Sequence, residues 1–163
     1  MIKHIAYFQH NIIMDWSFII SVGLSIEAVV SCLWSFVEKY YLPKEVCFIY
    51  TSVTERFRDI LRDVVKTFSP TISIRDVVVN ETSIENIVKK VGSIVDEYRV
   101  RGYKVCIDVT PGRKTMSIAL YYTGLRKNVD KIVYLHLKNK MFEGEIYPFI
   151  PKPCIDLVTL YGD

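Results

Sequence analysis

The apolar residues fall into two recurring patterns that alternate along the chain. Short continuous apolar runs have strand length, and between them lie longer stretches with apolar residues three and four apart. Ile2 to Phe8 opens the series as a strand, and the polar break Gln9-His10-Asn11 follows it. From Trp16 to Val37 the only charge is Glu27, which predicts a long helix reaching about Tyr41, closed by Pro43 and Lys44-Glu45. Val46–Tyr50 reads as a strand buried on both faces. Thr54-Glu55 opens a helix carrying Phe57, Ile60, Leu61, Val64, Val65 and Phe68, which Ser69-Pro70 ends.

Ile72 to Val79 is a third strand. Thr82 and Glu85 have the spacing of a capping box, and the helix they start carries Ile84, Ile87, Val88, Val91, Ile94, Val95 and Tyr98. Gly102 breaks it, and Tyr103–Asp108 is a fourth strand. A Thr110-Pro111-Gly112 turn leads into a helix from about Arg113 to Arg126, and Lys131–Leu137 is a fifth strand. Glu145–Ile150 and Ile155–Tyr161 read as short strands. Strand and helix alternate four times, the signature of right-handed crossovers and a mostly parallel sheet. The expected fold is an α/β, Rossmann-like three-layer sandwich. It forms one domain over 1–163, with a core over 1–150 and short strands over 145–161.

Composition narrows the function. At 163 residues, half of them hydrophobic, the chain is neither disordered nor long enough for two independent cores. The net charge of +3 is a poor footprint for duplex nucleic acid, and no recognition helix stands out. The charge is unevenly spread. Residues 1–98 hold 10 Lys and Arg against 12 Asp and Glu, whereas 99–163 hold 11 against 6, so an anion is expected to meet the C-terminal half. Cys32, Cys47, Cys106 and Cys154 stand apart, with no zinc-type spacing, and sit in apolar runs. They point to a reduced cytoplasm, and no metal or cofactor is expected. The 16–37 stretch is long enough to cross a bilayer, but Glu27 at its middle and a face of small serines argue for a helix buried between its own sheet and a partner subunit, with no membrane.

In an open parallel sheet, ligands bind beyond the carboxyl ends of the strands. The expected loops are 9–16, 51–54, 79–82, 109–114 and 137–140. The richest chemistry lies in Asp108-Val109-Thr110-Pro111-Gly112-Arg113-Lys114-Thr115-Met116-Ser117. Glycine lets a ligand approach the backbone, the helix start offers unpaired N–H groups, and two cations and three hydroxyls surround them, which together suit a phosphate. Arg113 and Lys114 oppose the helix dipole, so stability alone does not explain them. The Walker spacing is missing, and so is the glycine fingerprint of dinucleotide binding after the first strand. In the first loop, Trp16 is a candidate to stack a base and His10 to move protons; the alternative is a capped loop with Trp16 packed into the core or a subunit interface. Thr51-Ser52 either contact ligand or cap the next helix. Lys138 and Lys140 are either a second clamp or a solvated edge.

The 108–117 segment resembles the Asp-x-Thr-x-Gly-x-Lys-x-Met motif of CRISPR-associated Rossmann-fold (CARF) domains, in the turn after the fourth strand. The resemblance implies a homodimer that binds a cyclic oligoadenylate across its two-fold axis, with cyclic tetra-adenylate, the commonest ligand of archaeal members, the expected ring. Thr110, Pro111, Gly112, Arg113 and Lys114 would hold phosphate and ribose, and Met116 and Ser117 would support the turn. Gln9, His10, Asn11, Trp16, Thr51 and Ser52 complete the ligand set. Because few residues follow Ile150, a stand-alone ring nuclease is implied, which cleaves the messenger through its own ribose 2′-OH with Lys114, His10 and Ser17 as catalytic residues. The alternative is a non-catalytic sensor or sink acting through a partner protein. The first loop departs from the short Gly-Thr-Ser-Pro-like turn of many ring nucleases.

Overall fold

A computed structural model describes residues 15–163; the expected strand over 2–8 and Gln9, His10 and Asn11 lie outside the described residues. The expected long helix is two elements. Trp16–Ser21 is a strand (β1), and the helix (α1) spans only Ile26–Lys39. An uninterrupted apolar run serves either element, and the sheet decides here. The run Trp-Ser-Phe-Ile-Ile-Ser is buried along its whole length between two parallel neighbours, where bulky and β-branched side chains pack well. Gly23-Leu24-Ser25 breaks it, and the Ser25 hydroxyl caps α1 by accepting from the Ala28 N–H at 3.4 Å.

The other elements follow the expected alternation: β2 (Glu45–Tyr50), a 3₁₀ turn (Thr54–Phe57) into α2 (Arg58–Phe68), β3 (Ser73–Val78), α3 (Ile84–Val100), β4 (Lys104–Asp108), α4 (Lys114–Arg126) and β5 (Lys131–Leu137). The final strand β6 (Ile155–Tyr161) runs antiparallel to β5. The expected strand over 145–150 is instead a 3₁₀ turn at Tyr147–Phe149, where Pro148 removes a ladder donor. Strand order is β3-β2-β1-β4-β5-β6, with β1 to β5 parallel. This is the α/β, Rossmann-like sandwich expected.

Alternation within the strands feeds two cores. Phe18, Ile20 and Phe48 pack with Val29, Cys32, Phe36, Leu61 and Val65 of α1 and α2 on one face. Ile19, Cys47, Ile49, Val105 and Ile107 pack with Ile87, Val91, Val95, Met116 and Leu120 of α3 and α4 on the other. The helix after β1 and the helix after the neighbouring β4 therefore leave on opposite faces, which opens a crevice between their loops at the carboxyl edge of the sheet. Among the described residues, no helix is long and apolar enough to cross a membrane.

Candidate ligand-binding site

The crevice is built by two loops in close contact. At the end of β1, the Ser21 hydroxyl donates to the Pro111 carbonyl. Gly112 has φ +95°, and a side chain there would bring its Cβ to 2.7 Å from Ser21 Oγ. A Cβ on Gly23 would stand 2.7 Å from the Gly112 amide nitrogen. Both glycines are therefore required by the approach of one loop to the other.

Beneath the turn lies Asp108, fully buried at the end of β4. Its Oδ1 accepts from the Thr110 N–H at 2.7 Å, while its Oδ2 has no hydrogen-bond partner. Burial pushes this carboxyl up to about 6. The Thr110 hydroxyl accepts from the Leu135 N–H at 2.7 Å, which fastens the turn to β5. Met116 is fully buried under Gly112, and Pro111 is buried beside Ser21. These residues shape the turn from below and are not free to grip a ligand by their side chains.

The ligand-facing groups lie at the start of α4. Arg113 precedes the helix and supplies no side-chain cap. The N–H groups of Met116 and Ser117 both turn back to the Arg113 carbonyl, at 2.9 and 3.1 Å, and the N–H groups before them face the helix end. Lys114 is exposed at the first helical position. Arg113 Nε stands 2.8 Å from Glu81 Oε2, and the Thr115 hydroxyl donates to the Glu81 carbonyl at 2.8 Å. A cavity of about 390 Å³ opens here, between Gly23 and Leu24 on one side and Thr51, Glu81 and Arg113 on the other. Arg113 lines this cavity and Lys114 follows it, exposed, at the first helical position; with uncapped helical N–H groups and a glycine-backed wall, this arrangement is suited to an anion such as a phosphate.

The expected site residues separate into groups. Thr110, Pro111, Gly112, Arg113, Lys114, Met116 and Ser117 come together as one turn. Thr51 reaches the cavity, but its hydroxyl accepts from the N–H groups of Val53 and Thr54 at 3.3 and 3.2 Å, so it caps the following turn; Ser52 is exposed beside it. Trp16 and Ser17 are placed elsewhere. They begin β1, at the opposite edge of the sheet from the crevice, and both are buried. Trp16 packs on Phe36 and Tyr40, and the Ser17 hydroxyl donates to the Lys104 carbonyl at 3.1 Å. Lys138 and Lys140 are exposed and do not line this cavity. Ser21, Gly23, Leu24, Val53 and Glu81 border the crevice without having stood out in the sequence. A helix 17–41 hid the first three, and Glu81 reads locally as a solvated loop acid.

The model of a CRISPR-associated protein family, Cas_APE2256, matches residues 27–142. The chain belongs to this family. Its fold is that of the CARF domains, as the 108–117 motif implies. Among solved structures it is similar to protein VC1899 from Vibrio cholerae, with a TM-score of 0.61 and 12% identity over 75% of this chain and 31% of that one. It is also similar to Can2 from Sulfobacillus thermosulfidooxidans in complex with cyclic tetra-adenylate, with a TM-score of 0.53 and 14% identity over 72% and 31%. Csm6 from Enterococcus italicus, bound to cyclic hexa-2′-fluoro-hexa-dAMP, gives a TM-score of 0.60 and 13% identity over 78% and 34%. At these identities the likeness is one of fold. The chain spans about a third of the length of each of these neighbours. No curated protein matches it.

Proposed function

We propose that the protein binds a cyclic oligoadenylate, of tetra-adenylate size, across the two-fold axis of a homodimer, and opens the ring to switch off type III CRISPR signalling. The observation that carries this reading is the start of α4: a helix with no side-chain cap, two cations in place of acids, and Gly112 held against the β1 loop by Ser21. The Can2 structure holds cyclic tetra-adenylate in a protein of this fold, which supports the choice of ring. A ring with two-fold symmetry suits an isologous dimer in which each protomer contributes one cradle.

Cleavage requires little more than alignment. A ribose 2′-OH loses its proton and attacks the adjacent phosphorus. The bond from phosphorus to the 5′-oxygen breaks, and that oxygen takes up a proton. The product is a linear oligoadenylate with a 2′,3′-cyclic phosphate and a 5′-hydroxyl, formed without added water or metal. Lys114 and the first-turn N–H groups of α4 would stabilise the charge that builds on the phosphate oxygens.

One observation favours the second reading, a non-catalytic sensor or sink. Ser17 is buried at the far edge of the sheet, so it does not reach the crevice, and Lys114, exposed at the start of α4 next to Arg113 but not lining the cavity, is the one expected catalytic residue near it among the described residues. Incubating labelled cyclic tetra-adenylate with the protein in EDTA separates the two. Accumulation of linear product with a cyclic phosphate end supports cleavage. Tight binding with the ring intact after many hours leaves the sensor, and absence of binding removes both.

A further inference from the structure

Glu81 stands on the wall of the cavity, in the loop between β3 and α3, and it carries a charge of the wrong sign for an anion site. Its carboxylate holds Arg113 at 2.8 Å, while its carbonyl accepts from the Thr115 hydroxyl at 2.8 Å, so both main chain and side chain are fixed against the first turn of α4. The Arg113 side chain is 64% exposed and that of Glu81 24%, so the guanidinium is open to an incoming phosphate while the acid stays against the wall. The same wall carries the exposed side chains of Leu24 and Val53, an apolar surface next to Arg113. An acid in this position repels a bare phosphate and occupies the cation that such a phosphate would use. It becomes favourable only if the ligand brings its own hydrogen-bond donor beside the phosphate.

We infer that Glu81 is a specificity-determining residue that reads the base. Its carboxylate holds Arg113 in this structure. When a phosphate takes Arg113, the freed carboxylate accepts from the exocyclic amino group of an adenine lying on the Leu24 and Val53 surface. Phosphate or pyrophosphate offers at most an acidic P–OH, whose proton the cations at the start of α4 favour losing, so the bound anion leaves the carboxylate unpaired beside it. The acid therefore excludes the small phosphates that any uncapped, cationic helix start would attract, while leaving adenylate binding intact. This inference rests on the reading of the crevice as a cyclic oligoadenylate site and adds the source of its selectivity.

The test compares two probes, pyrophosphate and cyclic tetra-adenylate, by calorimetric titration of the wild type, Glu81→Gln and Glu81→Ala. Glu85→Gln, at an exposed acid in the first turn of α3, controls for the change of net charge. Removing the Glu81 charge should raise pyrophosphate affinity by about three- to tenfold, in line with the modest strength of partly exposed ion pairs. Ring affinity should stay level or fall, so the preference for ring over pyrophosphate shrinks, and Glu85→Gln should change neither. A preference that is unchanged or grows in both Glu81 variants overturns the inference, because Glu81 would then be only a general repulsive charge or a brace for Arg113. If the wild type binds no ring, the cyclic oligoadenylate reading fails by itself. The pyrophosphate arm then still decides whether Glu81 filters anions: no rise overturns that role.

Discussion

Two helices start beside one another at the carboxyl edge of the sheet, and their first turns are built in opposite ways. The first turn of α1 has a serine cap, Ser25, and an acid, Glu27, whose carboxylate accepts from the Ser25 hydroxyl at 3.0 Å. The cap satisfies the Ala28 N–H, and the acid complements the dipole. The cavity beside it, about 220 Å³, is bordered by Glu27, Glu143 and Glu145 over an apolar floor and presents no cation. The first turn of α4 has no cap and no acid, and Arg113 and Lys114 stand where the dipole disfavours them. A helix start arranged against its own stability is explained by a ligand that supplies the missing acceptor and charge. The contrast between the two starts locates the anion site without reference to any relative.

Four substitutions break or sharpen that contrast, and they are ordered here by expected effect. Gly112→Ala forces a side chain into a left-handed backbone position and against Ser21. It should cost about 1–3 kcal/mol of stability and lower ring affinity more than any other change, as read by thermal melting and calorimetry. Lys114→Ala leaves the turn in place and removes one cation; ring affinity should fall roughly 10- to 100-fold, while the melting temperature stays level or rises slightly because a cation disfavoured by the helix dipole is gone.

Asp108→Asn probes the floor of the turn. The buried carboxyl is pushed up to about 6, above its value of about 3.9 in an unfolded chain. Between these values the folded protein keeps a proton that the unfolded chain has released. Stability should therefore fall as pH rises from about 4 to about 6, by roughly 3 kcal/mol, and level off above. Denaturant titrations across that range should show the slope in the wild type and a flatter line in the variant. A wild-type curve that does not fall relative to that of the variant over the same range would contradict the burial of this group. The smallest effect belongs to the other helix. Ser25→Ala should cost about 0.5–1 kcal/mol and leave ring affinity unchanged, because the α1 start is built for stability and not for the anion.

The sequence reveals the α4 side of the crevice and hides the α1 side, for a physical reason. The residues of the turn at 108–117 are contiguous, and their strangeness is local: glycine and cations at a helix start. By contrast, Trp16–Val37 is a single apolar stretch that holds a buried strand and a helix, and hydrophobic periodicity does not separate the two when a strand is covered on both faces. The small residues Ser17, Ser21, Ser31 and Ser35 suggest a helical face, yet Ser17 and Ser21 are strand residues bonded to Lys104 and Pro111, partners nearly 90 positions away. The loop 79–82 is among those the sequence places at the carboxyl edge, but the role of Glu81 within it exists only once that loop meets α4. Thr51 illustrates the opposite case, since the capping alternative open in the sequence is the one its hydrogen bonds show.

The most direct test of the α4 start as a ring-binding cradle is a calorimetric titration of the protein with cyclic tetra-adenylate, with Lys114→Ala alongside. Saturation at one ring per two chains, weakened roughly 10- to 100-fold in the variant, is the expected result. No measurable binding, or binding of equal strength in the variant, would contradict it.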